Sequence, residues 1–248
     1  MNAPAWLIAQ PIAHRGLHDS AIGVVENTAS AALKAVERGF AIECDVQLSR
    51  DGEAMVFHDE TLDRLMRTTG DVSFRDAREL KTLRYAKGDD KIITLDMLLA
   101  LINGRVPLIC EIKSGFDGDM RLAQRTMAVV SAHHAPVALK SFDPEIIAHL
   151  RKLGAKMPLG MIAEAHYTHP SWDLLSPALK QRLANFLHFG ETRPDFLSYH
   201  VNDLPHSVPY LLRKGMGLPV MTWTVRTPAQ RELAAQWADQ MVFEGFLP

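Results

Sequence analysis

The stretch FAIECDVQLSRDGEAMVFHDE, residues 40–60, contains two strand-like runs on either side of Asp51-Gly52. The first run is FAIECDVQL (40–48) and the second is AMVFH (54–58). An Asp-Gly pair between two such runs is a strong hairpin signal, so we predict that they pair antiparallel through a tight turn. The second run therefore cannot be the next strand of a parallel sheet, because parallel strands need a long crossover connection.

Short apolar runs alternate with amphipathic, helix-like segments along the rest of the chain. This alternation favours parallel strands with helices packed outside them. With 54–58 set aside, the strand-like runs are 11–14, 40–48, 106–112, 136–142, 158–163, 196–201, 219–225 and 240–245. Eight such units in 248 residues predict an α/β fold, a (β/α)8 TIM barrel. We expect one domain over residues 1–248, with a small hairpin-containing insertion over about 47–92. A doubly wound open sheet is the alternative.

Several helix-like segments begin at a residue suited to cap a helix N-terminus. The candidates are Asn27, Thr94, Asp143 and Thr227. Others end at a glycine, as helices often do: Gly39, Gly104 and Gly154. These signals place the predicted helix boundaries between the strand-like runs.

The composition is that of an ordinary globular protein, with 47% hydrophobic and 23% charged residues. A formal net charge of −2 gives no reason to expect nucleic-acid binding or recruitment to an anionic membrane surface. Cys44 and Cys110 lie in apolar runs and imply no disulfide framework. We find neither a convincing signal peptide nor a run of 18 apolar residues, so we expect a cytoplasmic protein without stable membrane insertion. Assembly into a homo-oligomer is left open.

Charged residues recur at the predicted carboxyl ends of the strands, where functional groups of such a barrel lie. Glu43 and Asp45 are two residues apart and therefore share one face of their strand, and the same holds for Glu111 and Lys113. His14 and Arg15 end the first strand, and the hairpin returns His58 to the end of the second strand: His14, Arg15, His58. We predict that these side chains converge at the mouth of the barrel.

Two interpretations of the three carboxylates remain open from the residues alone. An all-oxygen cluster suits one hard divalent cation such as Mg²⁺, Ca²⁺ or Mn²⁺. Alternatively, Glu43 and Glu111 form buried ion pairs with Arg15 and Lys113. In either case the cationic side chains favour an anionic substrate, and two histidines can serve as general acid and general base.

The chain resembles the glycerophosphodiester phosphodiesterases through a series of motifs that occur in the family's order. The matching segments are HRG (14–16), ENT (26–28), ECDVQLSRDGEAMVFHD (43–59), LDR (62–64), TLDMLL (94–99), EIK (111–113), SFDP (141–144) and TWTV (222–225). The resemblance covers nearly the whole chain. It implies a TIM barrel with a small insertion after the second strand, in agreement with the predicted hairpin.

The resemblance also implies roles for individual residues. Glu43, Asp45 and Glu111 would ligate one divalent cation, His14 and His58 would be the acid–base pair, and Arg15, Lys113 and Trp223 would bind substrate. The implied reaction is hydrolysis of a small-molecule glycerophosphodiester to glycerol 3-phosphate and an alcohol such as choline or ethanolamine. Asp59 is expected to orient His58 or to pair with Arg64, and Glu26 and Asn27 to shape the start of the first helix.

The chain departs from the family pattern at three places, one of which is the segment LMRTTGDV (65–72), slightly longer than usual. Val25 stands where the family usually has proline, and Glu244 stands where it usually has aspartate after the last strand. These changes are expected to lie away from the predicted metal ligands and histidines, so they bear on headgroup specificity more than on chemistry.

Two alternative functions remain: a lysophospholipase D or phospholipase-D-like enzyme that acts on longer lipids, and a noncatalytic phosphate-binding barrel.

Overall fold

The computed structural model describes residues 3–248, and its parallel sheet closes on itself as a barrel. The barrel strands are β1 (Ile12–Ala13), β2 (Ala41–Leu48), β4 (Leu108–Ile112), β5 (Val137–Ser141), β6 (Leu159–Ala163), β7 (Phe196–His200), β8 (Val220–Val225) and β9 (Gln240–Phe243), while β3 (Ala54–Val56) stands outside the barrel. Because β1 pairs with both β2 and β9, the predicted (β/α)8 barrel is confirmed and the open-sheet alternative is wrong.

The hairpin predicted from Asp51-Gly52 is present. β3 pairs antiparallel with β2, so that Val46 faces Val56. The Gly52 amide donates to the carbonyl of Ser49 at 3.0 Å, and Gly52 has a φ of 86°, a backbone conformation that glycine adopts without a steric penalty. The chain therefore turns back over the end of β2 before it continues through the inserted segment.

The inserted segment has a small apolar cluster of its own. Phe57, Leu62, Leu80 and Tyr85 are buried in it, apart from the main core. Phe57 directly precedes His58, so this packing anchors the stretch of chain that carries the predicted catalytic histidine.

Helices connect the strands on the outside of the barrel. They are α1 (Ala29–Glu37), α2 (Ala77–Leu80), α3 (Leu95–Ile102), α4 (Arg121–Ser131), α5 (Pro144–Lys152), α6 (Pro177–Ala184), α7 (Phe189–Thr192), α8 (Ser207–Met216) and α9 (Pro228–Trp237). Thr94, Asp143 and Thr227 cap α3, α5 and α9 as predicted. Within residues 3–248, none of these helices combines the length and the apolarity that crossing a membrane requires.

The predicted N-cap of the first helix is wrong by one residue. Thr28 caps α1, and its side chain accepts a hydrogen bond from the amide of Ala31. Asn27 instead has a left-handed backbone with a φ of 57°. Its side chain forms a hydrogen bond with Asp45 and is therefore not available to cap the helix. A tertiary hydrogen bond has thus overridden a local capping preference.

Side chains alternate along each strand between the helix-packed exterior and the barrel interior. On β2, Ile42, Cys44 and Val46 belong to the large core beneath the helices. The interior is filled at its amino end by a separate apolar cluster that includes Ile12, Ala41, Ile109, Ala138, Phe196, Met221 and Val242, closed by Leu7 from the N-terminal segment. Two residues further along each of these strands, the inward positions form the upper layer of the barrel, where the site lies.

Candidate active site

Three carboxylates from β2 and β4 meet inside the barrel. Glu43 and Asp45 are inward positions of β2, and Glu111 is the register partner of Asp45 on β4. The three residues are 1%, 1% and 7% exposed, and each offers an oxygen within 4.8 Å of the others. Three buried negative charges at this separation repel one another strongly, so positive charge must lie beside them.

Two lysines supply much of that positive charge. The Nζ of Lys140 lies 2.9 Å from Glu43 Oε1. The Nζ of Lys113 lies 2.8 Å from Asp45 Oδ1 and 2.5 Å from Glu111 Oε1. The ion-pair interpretation is thus correct for Glu111, which pairs with Lys113. It is wrong for Glu43, which pairs with Lys140 on β5. The guanidinium of Arg15 pairs instead with Glu26 and Asp45.

These contacts keep the carboxylates ionised despite their burial. Burial raises the pKa of Glu43, but the charge of Lys140 outweighs it and the pKa lies below its usual value. For Asp45 burial acts in the same direction, and Lys113 with other cations holds the pKa well below its usual range. Burial lowers the pKa of Lys140, yet Glu43 and Glu111 raise it above normal, so this buried lysine stays charged.

The HRG segment positions Arg15 through its backbone. Arg15 has a φ of 56°, and its amide donates to Glu43 Oε2 at 3.1 Å. At the next residue, Gly16, a Cβ would lie 2.8 Å from the carbonyl carbon of Ala31, and φ is 80°, so only glycine fits. The guanidinium Nη1 is 2.5 Å from Glu26 Oε1.

Asn27 holds one of the three carboxylates in place. Its Nδ2 donates to Asp45 Oδ2 at 2.9 Å, and its Oδ1 accepts from the backbone amide of Asp45 at 3.2 Å. Arg15 Nε lies 3.3 Å from the same Oδ2 atom. Asp45 is thereby oriented from two sides, so the contribution of the ENT segment reaches beyond the start of α1.

Each predicted catalytic histidine contacts a carboxylate through its Nδ1 atom. His14 Nδ1 lies 2.6 Å from Glu244 Oε2, and His58 Nδ1 lies 2.7 Å from Asp59 Oδ1. The expectation that Glu244 lies away from the histidines is therefore wrong, because the pairing of β9 with β1 brings Glu244 beside His14. A carboxylate at Nδ1 favours the tautomer with the proton on that nitrogen and leaves Nε2 directed away from it. His14 Nε2 is 3.9 Å from Glu43 Oε2, at the edge of the acidic group.

The two supporting carboxylates are ionised. Burial raises the pKa of Glu244, but the hydrogen bond to His14 and the charge of Arg226 outweigh it and bring the pKa to about 2. Burial likewise raises the pKa of Asp59, while His58 and Arg64 hold it well below its usual value. Asp59 therefore does both things expected of it, since it contacts His58 and pairs with Arg64.

Trp223 lies on β8, which stands opposite β4 in the barrel. Its Nε1 donates to the carbonyl of Ser198 at 3.1 Å. Its ring centroid is 4.9 Å from that of His200 and 5.5 Å from that of Phe142. The indole is half-buried and contributes an apolar face to the cleft.

The structure brings together all eight residues predicted from the sequence. One open cleft at the carboxyl end of the barrel is bordered by seven of them: His14, Arg15, Glu43, His58, Glu111, Lys113 and Trp223. Asp45 lies beneath that surface, against Asn27 and Lys113. Their spatial convergence is confirmed, whereas their individual roles stay predictions.

Lys140 and Glu164 are among the charged residues of the cleft that were not predicted from the sequence. Each is a single charge near the end of an apolar run, in PVALKSF and in PLGMIAE respectively. Lys140 could have been found from the alternation of side chains along a strand. It lies two residues after the inward-facing Ala138 and therefore also faces the barrel interior. Glu164 follows the last residue of β6, and its side chain is buried beside the cleft.

Comparison with known proteins identifies the family to which this chain is similar. The family model for the glycerophosphoryl diester phosphodiesterase family matches residues 14–247. A glycerophosphodiester phosphodiesterase of Caldanaerobacter subterraneus subsp. tengcongensis is 30% identical over 224 residues, which are 86% of this chain and 84% of that protein.

Solved structures show the same fold. A phosphodiesterase of Oleispira antarctica, in complex with the product sn-glycerol-3-phosphate, superposes with a TM-score of 0.75 at 23% identity, and the match covers 94% of this chain and 92% of that one. A glycerophosphodiester phosphodiesterase of Thermotoga maritima gives a TM-score of 0.71 at 23% identity, with the same coverage of 94% and 92%. Because the family model spans nearly the whole chain, this protein belongs to the glycerophosphoryl diester phosphodiesterase family, a family of phosphoric diester hydrolases.

Proposed function

We propose that the protein hydrolyses glycerophosphodiesters to glycerol 3-phosphate and an alcohol, with one divalent cation as cofactor and with His14 and His58 as the acid–base pair. The observation that carries this proposal is the placement of two carboxylate-held histidines beside three buried carboxylates in one cleft. The sn-glycerol-3-phosphate bound to the Oleispira antarctica phosphodiesterase supports a small-molecule substrate of this kind.

The proposed cation ligands are Glu43, Asp45 and Glu111. Their donors are all oxygens and lie within 4.8 Å of one another, which suits hard ions such as Mg²⁺, Ca²⁺ or Mn²⁺. Asn27 fixes the orientation of Asp45, as hydrogen bonds from surrounding residues do for metal ligands in general. When bound, such a cation polarises the phosphoryl group as a Lewis acid.

Arg15 and Lys113 are suited to hold the phosphodiester oxygens. Arg15 donates a hydrogen bond from Nη1 to Glu26, and its Nε lies close to Asp45. The remaining nitrogen of Arg15, Nη2, has no hydrogen-bond partner among residues 3–248. A guanidinium held in this way can present its remaining nitrogen to an anion without reorientation. Lys113 lies on the same side of the cleft and adds a second positive charge.

The two histidines provide the proton transfers. With Nδ1 of each ring held by Glu244 or Asp59, Nε2 is the nitrogen that exchanges a proton with substrate. One histidine removes the proton of a substrate glycerol hydroxyl as this oxygen bonds to phosphorus. The other protonates the departing alcohol as its P–O bond breaks, which leaves a cyclic phosphate. Water then opens the ring with the histidines in exchanged roles, and glycerol 3-phosphate results.

A specific observation also favours the second candidate, activity on longer lipid phosphodiesters. Leu174 borders the cleft and is 99% exposed, which is unusual for a large apolar side chain. Trp172 and Trp223 extend this apolar border toward the interior. An acyl chain of a lysophospholipid would cover such a surface, whereas a soluble diester would leave it in water.

Turnover of glycerophosphocholine with Mg²⁺ or Ca²⁺ tests the main proposal. We expect His14→Ala to lower kcat by about 10²- to 10⁴-fold, as is usual when a general acid–base group is removed. Glu43→Gln should abolish cation-dependent activity, and EDTA should do the same to the wild type. His134→Ala and Glu37→Gln, both at exposed positions, are the matched controls and should retain full activity.

Three results would contradict the proposal. Unchanged turnover in His14→Ala would exclude its acid–base role, and full activity in EDTA would exclude the cofactor. A kcat/KM for lysophosphatidylcholine well above that for glycerophosphocholine would favour the lipid substrate instead.

A further inference from the structure

The arginine and the lysine proposed to bind phosphate lie on one side of the cleft, and Glu164 lies on the other. Lys113, Lys140 and Arg15 lie with the carboxylates of β2 and β4. Glu164 follows β6, which stands opposite β1 because three strands separate the two in either direction around the barrel. The cleft thus has cations at the proposed phosphate position, and Glu164 lies across from His14 with Asp203 as its neighbour.

Glu164 is buried without a cationic partner. It is 8% exposed, and no lysine, arginine or histidine of residues 3–248 forms an ion pair with it. Burial, with a smaller contribution from the neighbouring Asp203, raises its pKa to about 7 against the opposing effect of a hydrogen bond from Trp172. Asp203 itself lies 3.4 Å from His200 Nδ1 and accepts from the amide of Ala165. A buried carboxylate without a counter-charge is costly, and a bound cation would relieve that cost.

Aromatic rings line the cleft on the same side as Glu164. The ring centroids of Trp172 and Phe142 are 4.8 Å apart, and Phe116 packs edge-on against Trp172 at 6.3 Å. Phe142 continues the row to Trp223 at 5.5 Å. These rings are half-buried and border the cleft. Faces of aromatic rings attract cations, most strongly tryptophan, and the effect grows when the cation is desolvated.

We propose that Glu164 together with Phe116, Phe142 and Trp172 forms a subsite for a cationic headgroup, so that the enzyme prefers diesters whose leaving alcohol carries a quaternary ammonium group. This inference rests on the proposed function and adds the substrate class. An anionic phosphate near Arg15 and Lys113 and a cation near Glu164 would each lie beside a side chain of opposite charge. A neutral polyol headgroup could hydrogen-bond to Glu164, but it would leave the carboxylate without a counter-charge.

The test compares kcat/KM for glycerophosphocholine and glycerophosphoglycerol in the wild type, in Glu164→Gln and in Trp172→Leu. Glutamine keeps the size and hydrogen-bond acceptor of glutamate but removes its charge. We expect both variants to lower kcat/KM for glycerophosphocholine by about 10-fold or more, mainly through KM, and to change glycerophosphoglycerol less than about 2-fold. Trp172→Phe should restore part of the loss, and Glu232→Gln, at an exposed position, should change neither substrate.

Lysophosphatidylcholine has the same headgroup as glycerophosphocholine. Comparing these two esters therefore distinguishes a lipid substrate from a soluble diester. An equal effect of Glu164→Gln on both choline esters supports the subsite, and the ester with the higher wild-type kcat/KM identifies the source. An equal loss for glycerophosphocholine and glycerophosphoglycerol would overturn the inference, because Glu164 would then bind the common glycerol part. No loss for any ester would overturn it as well.

A binding measurement separates failure of this inference from failure of the proposed function. Choline is titrated into the wild type and Glu164→Gln, and tryptophan fluorescence reports binding near Trp172 without any turnover. Saturable binding that Glu164→Gln weakens about 10-fold or more supports the subsite even if no diester is hydrolysed. Absence of saturable binding by the folded wild type overturns it, whatever the enzyme hydrolyses.

Discussion

Replacing Glu164 by glutamine should stabilise the folded protein more at pH 8 than at pH 5. Burial raises the pKa of this carboxyl from an ordinary 4.5 to about 7 in the folded state. The folded protein therefore binds the proton more tightly than the unfolded chain does. Stability from the protonated side chain is fully present below about pH 4.5 and is lost as the pH rises toward about 7.

The size of this effect follows from the two pKa values. A difference between 4.5 and about 7, at about 1.4 kcal/mol per pKa unit, corresponds to a loss of about 3 kcal/mol in the free energy of unfolding across the whole range. Part of that loss has already occurred at pH 5, so about 2 to 3 kcal/mol remains between pH 5 and pH 8. The amide side chain introduced by Glu164→Gln does not titrate, so the variant escapes this loss.

Urea unfolding of both proteins at pH 5 and pH 8 measures the difference. The other titrating groups act on both proteins alike and cancel when the variant is compared with the wild type. The free energy of unfolding of Glu164→Gln relative to wild type should rise by about 2 to 3 kcal/mol from pH 5 to pH 8. Glu232→Gln, at an exposed position, is the control and should show no such rise. A difference that is the same at both pH values, or larger at pH 5, would refute the reasoning.

Two further predictions concern groups that support the proposed catalytic residues. Asp59→Asn removes the charge 2.7 Å from His58 Nδ1 and should lower kcat about 10- to 10³-fold with little change in KM, measured by steady-state kinetics with circular dichroism as the fold control. Lys140→Met leaves Glu43 without the lysine at 2.9 Å and should reduce the free energy of unfolding by about 3 to 5 kcal/mol in EDTA. Saturating Mg²⁺ or Ca²⁺ should restore part of that stability, and urea unfolding that is unaffected by the cation would contradict the assigned site.

The fold could be predicted because its decisive features are local. Asp51-Gly52 identifies a hairpin within a few residues, and removing β3 from the count leaves eight parallel strands. The period of two then places Glu43 with Asp45, and Glu111 with Lys113, on inward faces. These pairs could be recognised because two charges in one strand are conspicuous, whereas a single charge such as Lys140 resembles an ordinary strand end.

Contacts between distant parts of the chain were not predictable in the same way. His14 and Glu244 are 230 residues apart and meet only because β9 pairs with β1 to close the barrel. The aromatic side of the cleft likewise draws its rings from segments that follow β4, β5 and β6, and no local periodicity links them. At Asn27 a local signal gave a wrong prediction. Its capping preference was outweighed by the hydrogen bond to Asp45, a contact that the local sequence does not show.

The sequence left a cation site and an ion-pair network as competing interpretations, and the geometry makes them compatible. Three buried carboxylates face three cationic side chains, Lys113, Lys140 and Arg15, so the group is close to neutral by itself. A neutral group folds without a large electrostatic penalty but has little net attraction for an anionic phosphodiester. A divalent cation bound by the same carboxylates would add two positive charges beside the phosphate position. The lysines would then stabilise the carboxylates during folding, while the cation would give the folded site its affinity for an anion.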